Sequence, residues 1–478
     1  MSAVPPDNGG APPPGAGRIL RNTAWSVVSE IAARALGFVA VVYLAAHLGA
    51  DGFGKLGFTQ AVLVYLSLVS EFGVRLLGAR TLARDRERIR ELIAPFLWAR
   101  LLLLLVAAAA VAGIWLALPK PLVVKQLILL YVLSLLPAAF FLDWVYWALE
   151  RMAVPALAGV LRSALYLALI LALVRGPGDL LGVGGANLVA ALAATVALGA
   201  WFVRRHGWPA LRVGNPVRLV AQAVPLGISA AMVQVYYNMD TLFLGLMRTD
   251  AEVGRYTAAY KIILVTYALG GAFPQMVFPA LARAFHEGEA QARQVFGFAL
   301  RITLLAAFPI AAGGALLADD MLRWIYAPDY APAGPAFRVL LATLFFMLAG
   351  NLYGSTVLAC DRQRRYLVVV TVGAVLNTAL NLILIRRYGM LGAAGATLAT
   401  EVVVFCAMHA SLPAGFGGLL SAAAWRPALA TAGMGALIVA LRPVSAALAM
   451  AAAVPTYLLL AALLGALRRE DLSRLARP

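Results

Sequence analysis

Ionisable residues are few in this chain, and several stand inside long apolar stretches. Glu30 and Arg34 are four residues apart, as are Glu71 and Arg75; Arg100, Asp143 and Arg162 follow singly, and Lys261, Arg301 and Arg338 come later. Residues four apart share a helix face, so each acid can hold its arginine extended and partly neutralised. A charge inside an apolar span costs about 2.5–3.5 kcal/mol on insertion scales, so it faces a partner or a water-filled cavity. The chemistry on offer is the gripping of oxyanions, because guanidinium forks bind two oxygens at once and stay charged in a dry site. In the first half of the chain, four such arginines stand against three acids, a mildly positive set. The competing reading is structural: pairs that brace a helix, or side chains that snorkel to the interface. Arg34 and Arg162, near mid-span, favour the cavity. Arg100 and Arg301 lie within snorkelling reach, Arg75 and Lys261 divide evenly, and Arg338 reads as an interface residue.

A second polar set comprises Asp240, Asn377, Asn381, Thr397 and Glu401. Asn377 and Asn381 are again four apart, so both amides face one way. A small hard cation wants several oxygen ligands including a carboxylate. Asp240, two amide oxygens and a hydroxyl make such a set, and Asp240 and Glu401 are also candidates for proton coupling. Against this, Asn and Thr serve as glue between membrane helices. Enzyme chemistry finds no support. His47, His206, His286 and His409 pair with no Cys or Ser at a catalytic spacing. Cys360 and Cys406 give neither metal spacing nor a disulfide framework. No phosphate-cradling glycine loop is present, and no cofactor is expected. Trp25, Trp98, Trp115, Trp144, Trp147 and Tyr146 fall toward span ends and read as aromatic belts. Tyr236 and Tyr237, beside Asp240, read as cavity residues.

The elements that must carry these residues follow from composition. The chain has 478 residues, 63% apolar and 13% charged, with a mean hydropathy of +0.86. Soluble chains are about 45–50% apolar and about 25% charged, so a soluble enzyme, a disordered chain and a fibrous repeat are excluded. At about 20 residues per span, the apolar residues supply about fourteen membrane helices and leave no room for a soluble domain. We place them near 22–47, 54–78, 92–118, 126–149, 154–174, 182–203, 218–247, 254–280, 294–317, 334–359, 366–386, 390–411, 427–441 and 444–467. The net charge of +17 reflects basic residues gathered in cytoplasmic loops rather than nucleic-acid binding. With the N-terminus inside, 22 Lys and Arg fall on the cytoplasmic side and 10 outside, with Arg386 and Arg387 the main dissent. Both termini are therefore expected in the cytoplasm. Residues 1–17 are rich in Pro and Gly and read as a disordered tail rather than a signal peptide.

An internal repeat runs through these spans. Gly54-Lys55-Leu56 matches Gly254-Arg255-Tyr256, Arg100 matches Arg301, Leu149-Glu150-Arg151 matches Cys360-Asp361-Arg362, and 182–188 matches 392–398. The offsets are 200, 201, 211 and 210, in the same order along the chain. Six spans per copy is an even number, so both copies have one orientation and should be related by an axis along the membrane normal.

With these features together, the opening region resembles the bacterial oligosaccharide flippases. The residues that carry the resemblance are Leu48-Gly49, Phe53-Gly54 and the acidic-aromatic-glycine segment Glu71-Phe72-Gly73, followed by the two six-span copies. The resemblance covers roughly 18–467 and points to the polysaccharide branch of the multidrug/oligosaccharidyl-lipid/polysaccharide exporters. It implies an all-α polytopic membrane protein with two six-helix lobes (18–205 and 216–411), two further helices (418–467) and a basic cytoplasmic tail (468–478). It implies a non-enzymatic flippase that moves undecaprenyl-diphosphate-linked oligosaccharide across the bacterial inner membrane by alternating access. Expected partners are that lipid, membrane lipids and polysaccharide polymerase machinery. Glu30, Arg34, Arg75, Arg100, Arg162, Lys261 and Arg301 would then line the cavity and meet the diphosphate. Asp240, Asn377 and Thr397 also match, position by position, a sodium site of some lipid II flippases. Asn381 departs, standing where that pattern has Asp, which removes one negative charge. Coupling to Na+ or H+ is thus expected. A lipid II flippase, a drug/cation antiporter and an integral-membrane glycan polymerase or transferase remain as alternatives. The excess of intramembrane arginine argues against the antiporter, and the short loops argue against the last.

Overall fold

The computed structural model describes residues 16–210 and 214–466, apart from the side chains of 16–27, 114, 229–230, 232–233 and 235–237. The tails expected over 1–17 and 468–478 lie outside the described residues, except that a helix already runs at Ala16; so do the side chains of Tyr236 and Tyr237. Among the described residues the chain is helical and has no strand. Long apolar runs dictate this, since in lipid each backbone group must find its partner within its own segment.

The helices are α1 (Ala16–Glu71), α2 (Val74–Arg84), α3 (Ile89–Ala117), α4 (Leu122–Leu133), α5 (Leu135–Ala139), α6 (Asp143–Ala148), α7 (Ala153–Leu173), α8 (Leu180–His206) and α9 (Pro216–Met247). They continue as α10 (Asp250–Gly270), α11 (Ala272–Glu287), α12 (Glu289–Leu316), α13 (Ala318–Ile325), α14 (Gly334–Ala359), α15 (Gln363–Ala410), α16 (Leu419–Leu441) and α17 (Ala446–Leu463). Among the described residues, eleven stretches are long and apolar enough to cross a membrane. Two of them hold a pair of spans each: α1 turns at Gly49 (φ 66°) and α15 at Gly389 (φ 56°), a conformation that glycine adopts without strain. With α9 as a further long helix, every one of the fourteen expected spans has its helix. The thirteenth is longer than its sequence signal, because α16 begins at Leu419 and Pro427 lies inside it.

Two compact units emerge. The first comprises the residues up to His47 with Val62–Gln234, and the second comprises Leu48–Ala61 with the chain from Val235 onward. The turn of α1 at Gly49 therefore packs within the second unit. There Gly54 meets α10 so closely that a Cβ would land on the Asp250 carbonyl, and a Cβ on Gly254 would land on the Ala50 carbonyl. Gly54 and Gly254 are the repeat-matched pair, and here they face one another. A second matched pair shares its backbone. Glu150 (φ 57°) and Asp361 (φ 59°) both take the left-handed conformation at a helix end. Both ends close alike: Arg151 N–H donates to the Tyr146 carbonyl at 2.9 Å, and Arg362 N–H to the Val357 carbonyl at 3.1 Å.

The Arg386–Arg387 pair, at odds with the charge-based topology, sits at the tight turn of α15. Arg248 Nε donates to the Ile385 carbonyl at 3.0 Å and Nη2 to the Arg386 carbonyl at 2.7 Å, while Glu252 Oε1 accepts from Met390 N–H at 2.7 Å. A guanidinium thus caps the end of one half of α15 and a carboxylate caps the start of the other, as the helix dipole favours. The segment 318–335, expected as an outer loop, forms α13 and a short 3-10 turn. Its acids are engaged: Arg442 Nε meets Asp320 at 2.8 Å, Asp319 pairs with Arg338, and Asp329 pairs with Arg255 at 3.3 Å. Two of the aromatics read as belt residues lie in the core instead. Trp144 is 1% exposed and Tyr146 is fully buried, in the core of the first unit with Phe96, Phe202 and Leu198. A proline-bent fourth span brings this segment inward, which apolar counting does not reveal.

Candidate functional site

The fourth span is broken into α4, α5 and α6, with Pro137 in α5 and no helix over 140–142. Such a break leaves carbonyls without helical partners, and membrane helices tolerate one only where protein or a cavity satisfies it. Arg100, from α3, does so. Its Nη1 donates to the Phe141 carbonyl at 3.1 Å and its Nη2 to the Ala138 carbonyl at 2.8 Å. Arg100 is 2% exposed, so the snorkelling reading does not hold for it.

Around Arg100 the first unit gathers charges from several helices. Arg100 Nη2 lies 3.6 Å from Glu71, and Arg75 Nη1 lies 3.7 Å from Glu71 and 3.5 Å from Asp143. Asp143 opens α6, where its carboxylate accepts from Trp144 N–H at 2.9 Å. Arg162 of α7 reaches Asn187 of α8 at 3.4 Å, and Asn187 in turn donates to Ser134 at 3.0 Å. These residues enclose a cavity of about 150 Å³ walled by Glu71, Arg75, Arg100, Asp143, Arg162 and Thr195. Ala191 and Ala194, one face of α8, leave the space open. Three guanidiniums face two carboxylates, so the wall is positive by one charge when both acids are ionised. The ion pairs here are looser than the roughly 2.7–2.9 Å of a direct charge-assisted hydrogen bond. Arg100 Nε is buried without a hydrogen-bond partner.

Glu71 and Arg75 also line a second cavity of about 290 Å³ with Ser67, Phe72, Trp147 and Gln234. The Arg75 guanidinium sits 4.2 Å from the centre of the Trp147 ring, a cation–π contact. Trp147 thus belongs to a cavity rather than a belt. Its role was hidden because an aromatic near a span end has the same sequence signature in both cases.

The second polar set lies buried in the second unit. Asp240, Asn377, Asn381, Thr397 and Glu401 are each 7% exposed or less. Asp240 accepts from Thr241 N–H at 2.7 Å and, at its other oxygen, from the Tyr256 hydroxyl, which also stands against Thr397. Asn381 donates to Asn377 Oδ1 at 2.9 Å, and Asn377 donates to Thr400 at 3.5 Å. No hydrogen bond joins Asp240 to either Asn among the described residues; Tyr256, an unsuspected member, stands at the carboxylate instead. Asn381 Oδ1 is buried without a hydrogen-bond partner, an oxygen that a small cation or a proton-bearing group can use.

The remaining sequence-predicted residues lie elsewhere. Glu30 and Arg34 pair with each other at 2.9 Å on an exposed face of α1 and line neither cavity of the first unit. Lys261 is half-buried on α10 in the second unit. Arg301 lines a separate cavity with Arg426.

Comparison with known proteins agrees with this architecture. A family model described as polysaccharide biosynthesis protein matches residues 19–285, and one described as lipid II flippase MurJ matches residues 256–462. The chain is 22% identical over 402 residues to a "Putative O-antigen transporter" of Escherichia coli (strain K12), covering 81% of this chain and 94% of that protein. It is 24% identical over 176 residues to a glycan biosynthesis flippase, named as probable, of Haloferax volcanii, covering 37% of each. Among solved structures, lipid II flippase MurJ in an inward closed conformation gives a TM-score of 0.75 at 14% identity, covering 92% of this chain and 98% of that one. An inward-facing multidrug resistance MATE family transporter gives 0.64 at 15% identity, covering 81% and 97%.

Proposed function

This chain belongs to the polysaccharide biosynthesis protein family, and from that premise we propose that it is a flippase for lipid-linked oligosaccharide diphosphate. The carrying observation is the arginine cavity of the first unit, where Arg75, Arg100 and Arg162 face one space from three parts of the chain. The diphosphate replaces the loosely held carboxylates of Glu71 and Asp143 as the partner of these guanidiniums. The first sugars occupy the adjoining cavity against Trp147, and the polyprenyl tail stays in lipid. The protein is multi-pass, and we assign it to the bacterial inner membrane with both termini cytoplasmic, on the 22 to 10 distribution of basic residues. The cargo enters from the inner leaflet and leaves on the other side as the helices rearrange, handing it to polymerase machinery. No covalent step is required. The names of the relatives favour an O-antigen-type cargo, and the antiporter, polymerase and lipid II readings are subordinate to it.

Directional transport needs a coupling step that distinguishes the two states. We place it at the Asp240–Tyr256 cluster, where Asp240, Asn381 and Thr397 supply the oxygens for Na+, or Asp240 and Glu401 the carboxyls for H+.

One reconstitution tests both assignments. In liposomes holding a polyprenyl-diphosphate oligosaccharide, Arg162→Ala is expected to slow translocation about tenfold or more while leaving thermal stability unchanged, because its hydrogen bond to Asn187 is long. Asp240→Asn is expected to keep binding of the cargo but lose acceleration by an imposed Na+ or pH gradient. Wild-type rates for Arg162→Ala would remove the arginine cavity as the binding site. A gradient response retained by Asp240→Asn would move the coupling step elsewhere.

A further inference from the structure

A second concentration of positive charge lies apart from the arginine cavity, in the second unit. The beginnings of α12 and α16 and the chain just beyond α17 enclose a cavity of about 190 Å³. Arg301 and Arg426 line it together with Trp425, and the other lining residues are apolar or glycine, among them Gly297, Leu419 and Ala422. No carboxylate belongs to the wall, in contrast to the first unit, where Glu71 and Asp143 offset the arginines.

Arg426 is held in place rather than loose. Its Nη1 donates to the Gly465 carbonyl at 2.8 Å, and its guanidinium lies 5.0 Å from the Trp425 ring. The remaining guanidinium nitrogens of Arg426 are thereby set in a fixed direction, the condition under which a planar fork recognises phosphate oxygens well. Trp425 is 53% exposed, and Leu429, one turn further along α16, is also 53% exposed. An apolar strip thus rises from the mouth of the cavity along the face of a membrane-spanning helix. A tryptophan at the foot of such a strip marks the level of the lipid headgroups. Basic pockets between membrane helices at the cytoplasmic side are the places where anionic headgroups are bound. The charge distribution puts Arg426 on that side, along with the Arg468–Arg469 pair that follows α17 in sequence.

We propose that this cavity binds the phosphate ester of an anionic glycerophospholipid of the surrounding leaflet. The phosphate lies between Arg301 and Arg426, and the acyl chains follow the Trp425–Leu429 strip. Simple snorkelling of two separate arginines gives no fixed cavity and no selectivity among lipids; a built site gives one retained lipid of anionic type. The same phosphate chemistry is also carried by polyprenyl phosphates, so the test includes both.

The full-length protein in detergent is titrated with phosphatidylglycerol or phosphatidylethanolamine, and bound lipid is counted by native mass spectrometry. The wild type is expected to retain one phosphatidylglycerol in preference to phosphatidylethanolamine. Each of Arg301→Gln and Arg426→Gln is expected to weaken that retention about fivefold, and the double variant about thirtyfold. Arg426 also secures Gly465, so Arg301→Gln, which leaves that bond intact, is the deciding variant. Equal retention by wild type and Arg301→Gln overturns the site. Displacement of phosphatidylglycerol by an equimolar polyprenyl phosphate overturns the assignment to a leaflet glycerophospholipid and gives the cavity to the carrier lipid.

Discussion

Arg100→Lys is expected to abolish translocation and to lower the melting temperature in detergent, although the charge is kept. The guanidinium bridges the Ala138 and Phe141 carbonyls and approaches Glu71 at 3.6 Å. The two carbonyls sit at the break in the fourth span, where the Ala138 carbonyl accepts a turn contact from Phe141 N–H at 3.1 Å besides Arg100. An ammonium is a compact point donor that cannot span the set. Removing one partner from a buried charged network costs about 3–5 kcal/mol, because the other groups stay buried and unpaired. At about 1.4 kcal/mol per factor of ten, the lower bound alone is more than a hundredfold loss of the competent state. Arg162→Ala provides the contrast, since it should impair transport with little change in stability. Arg100→Lys protein that melts like the wild type and flips lipid within threefold of its rate would refute the role given to this side chain.

Gly54→Ala and Gly254→Ala are each expected to cripple turnover for a different reason. A single added methyl group at either site lands on the backbone of the facing helix, at the Asp250 or Ala50 carbonyl. Backbone cannot yield as a flexible side chain can. Overpacking of this kind costs about 1–3 kcal/mol, which shifts the equilibrium between the packed and parted crossing by about 5- to 150-fold. Hydrogen exchange of the α10 amides near 250–258 should therefore accelerate in step with the loss of transport. Gly37→Ala, where an added Cβ meets nothing within 4 Å, is the control and should behave as wild type. Unchanged exchange in Gly54→Ala, together with a normal rate, would show that the crossing never has to pack tightly during the cycle.

The legible part of the molecule was what spacing and bulk composition determine. Apolar length located a helix at each of the fourteen expected positions, and the four-residue spacing of Glu71 and Arg75 implied their contact, which is met at 3.7 Å although the chain breaks between them: α1 ends at Glu71 and Arg75 stands on α2. The glycine at 54 and its match at 254 were visible as a repeat, yet nothing in spacing shows that the two would meet. Residues brought together from distant segments were likewise illegible: Arg100, Asp143 and Arg162 lie on α3, α6 and α7, and only the folded chain shows that they share a wall. The broken fourth span was missed because Phe140, Phe141 and Leu142 are as apolar as any helix interior. Trp144 and Tyr146 were misread for the same reason, their sequence position near a span end being common to belts and cores. Tyr256 escaped notice because a tyrosine in an apolar stretch carries no mark of the carboxylate it will meet.

On the proposed function, charge balance in the arginine cavity also sets how membrane voltage would act on the protein. Empty, with Glu71 and Asp143 ionised, the wall carries one net positive charge. A diphosphate diester brings on the order of two negative charges, one per phosphorus, and so reverses the sign. An interior-negative potential then pushes the loaded cavity outward and draws the empty one back. Complete passage of one charge is worth about 2.3 kcal/mol per 100 mV, and each stroke gains the share that matches the fraction of the field it crosses. A potassium diffusion potential set with valinomycin should therefore speed wild-type turnover; with both acids neutral the wall would stand at three positive charges empty and one loaded, so a slowed loaded stroke would show that the two carboxylates do not stay ionised. On these terms Glu71 and Asp143 are more than braces for arginine: they set the electrical sign of the return journey.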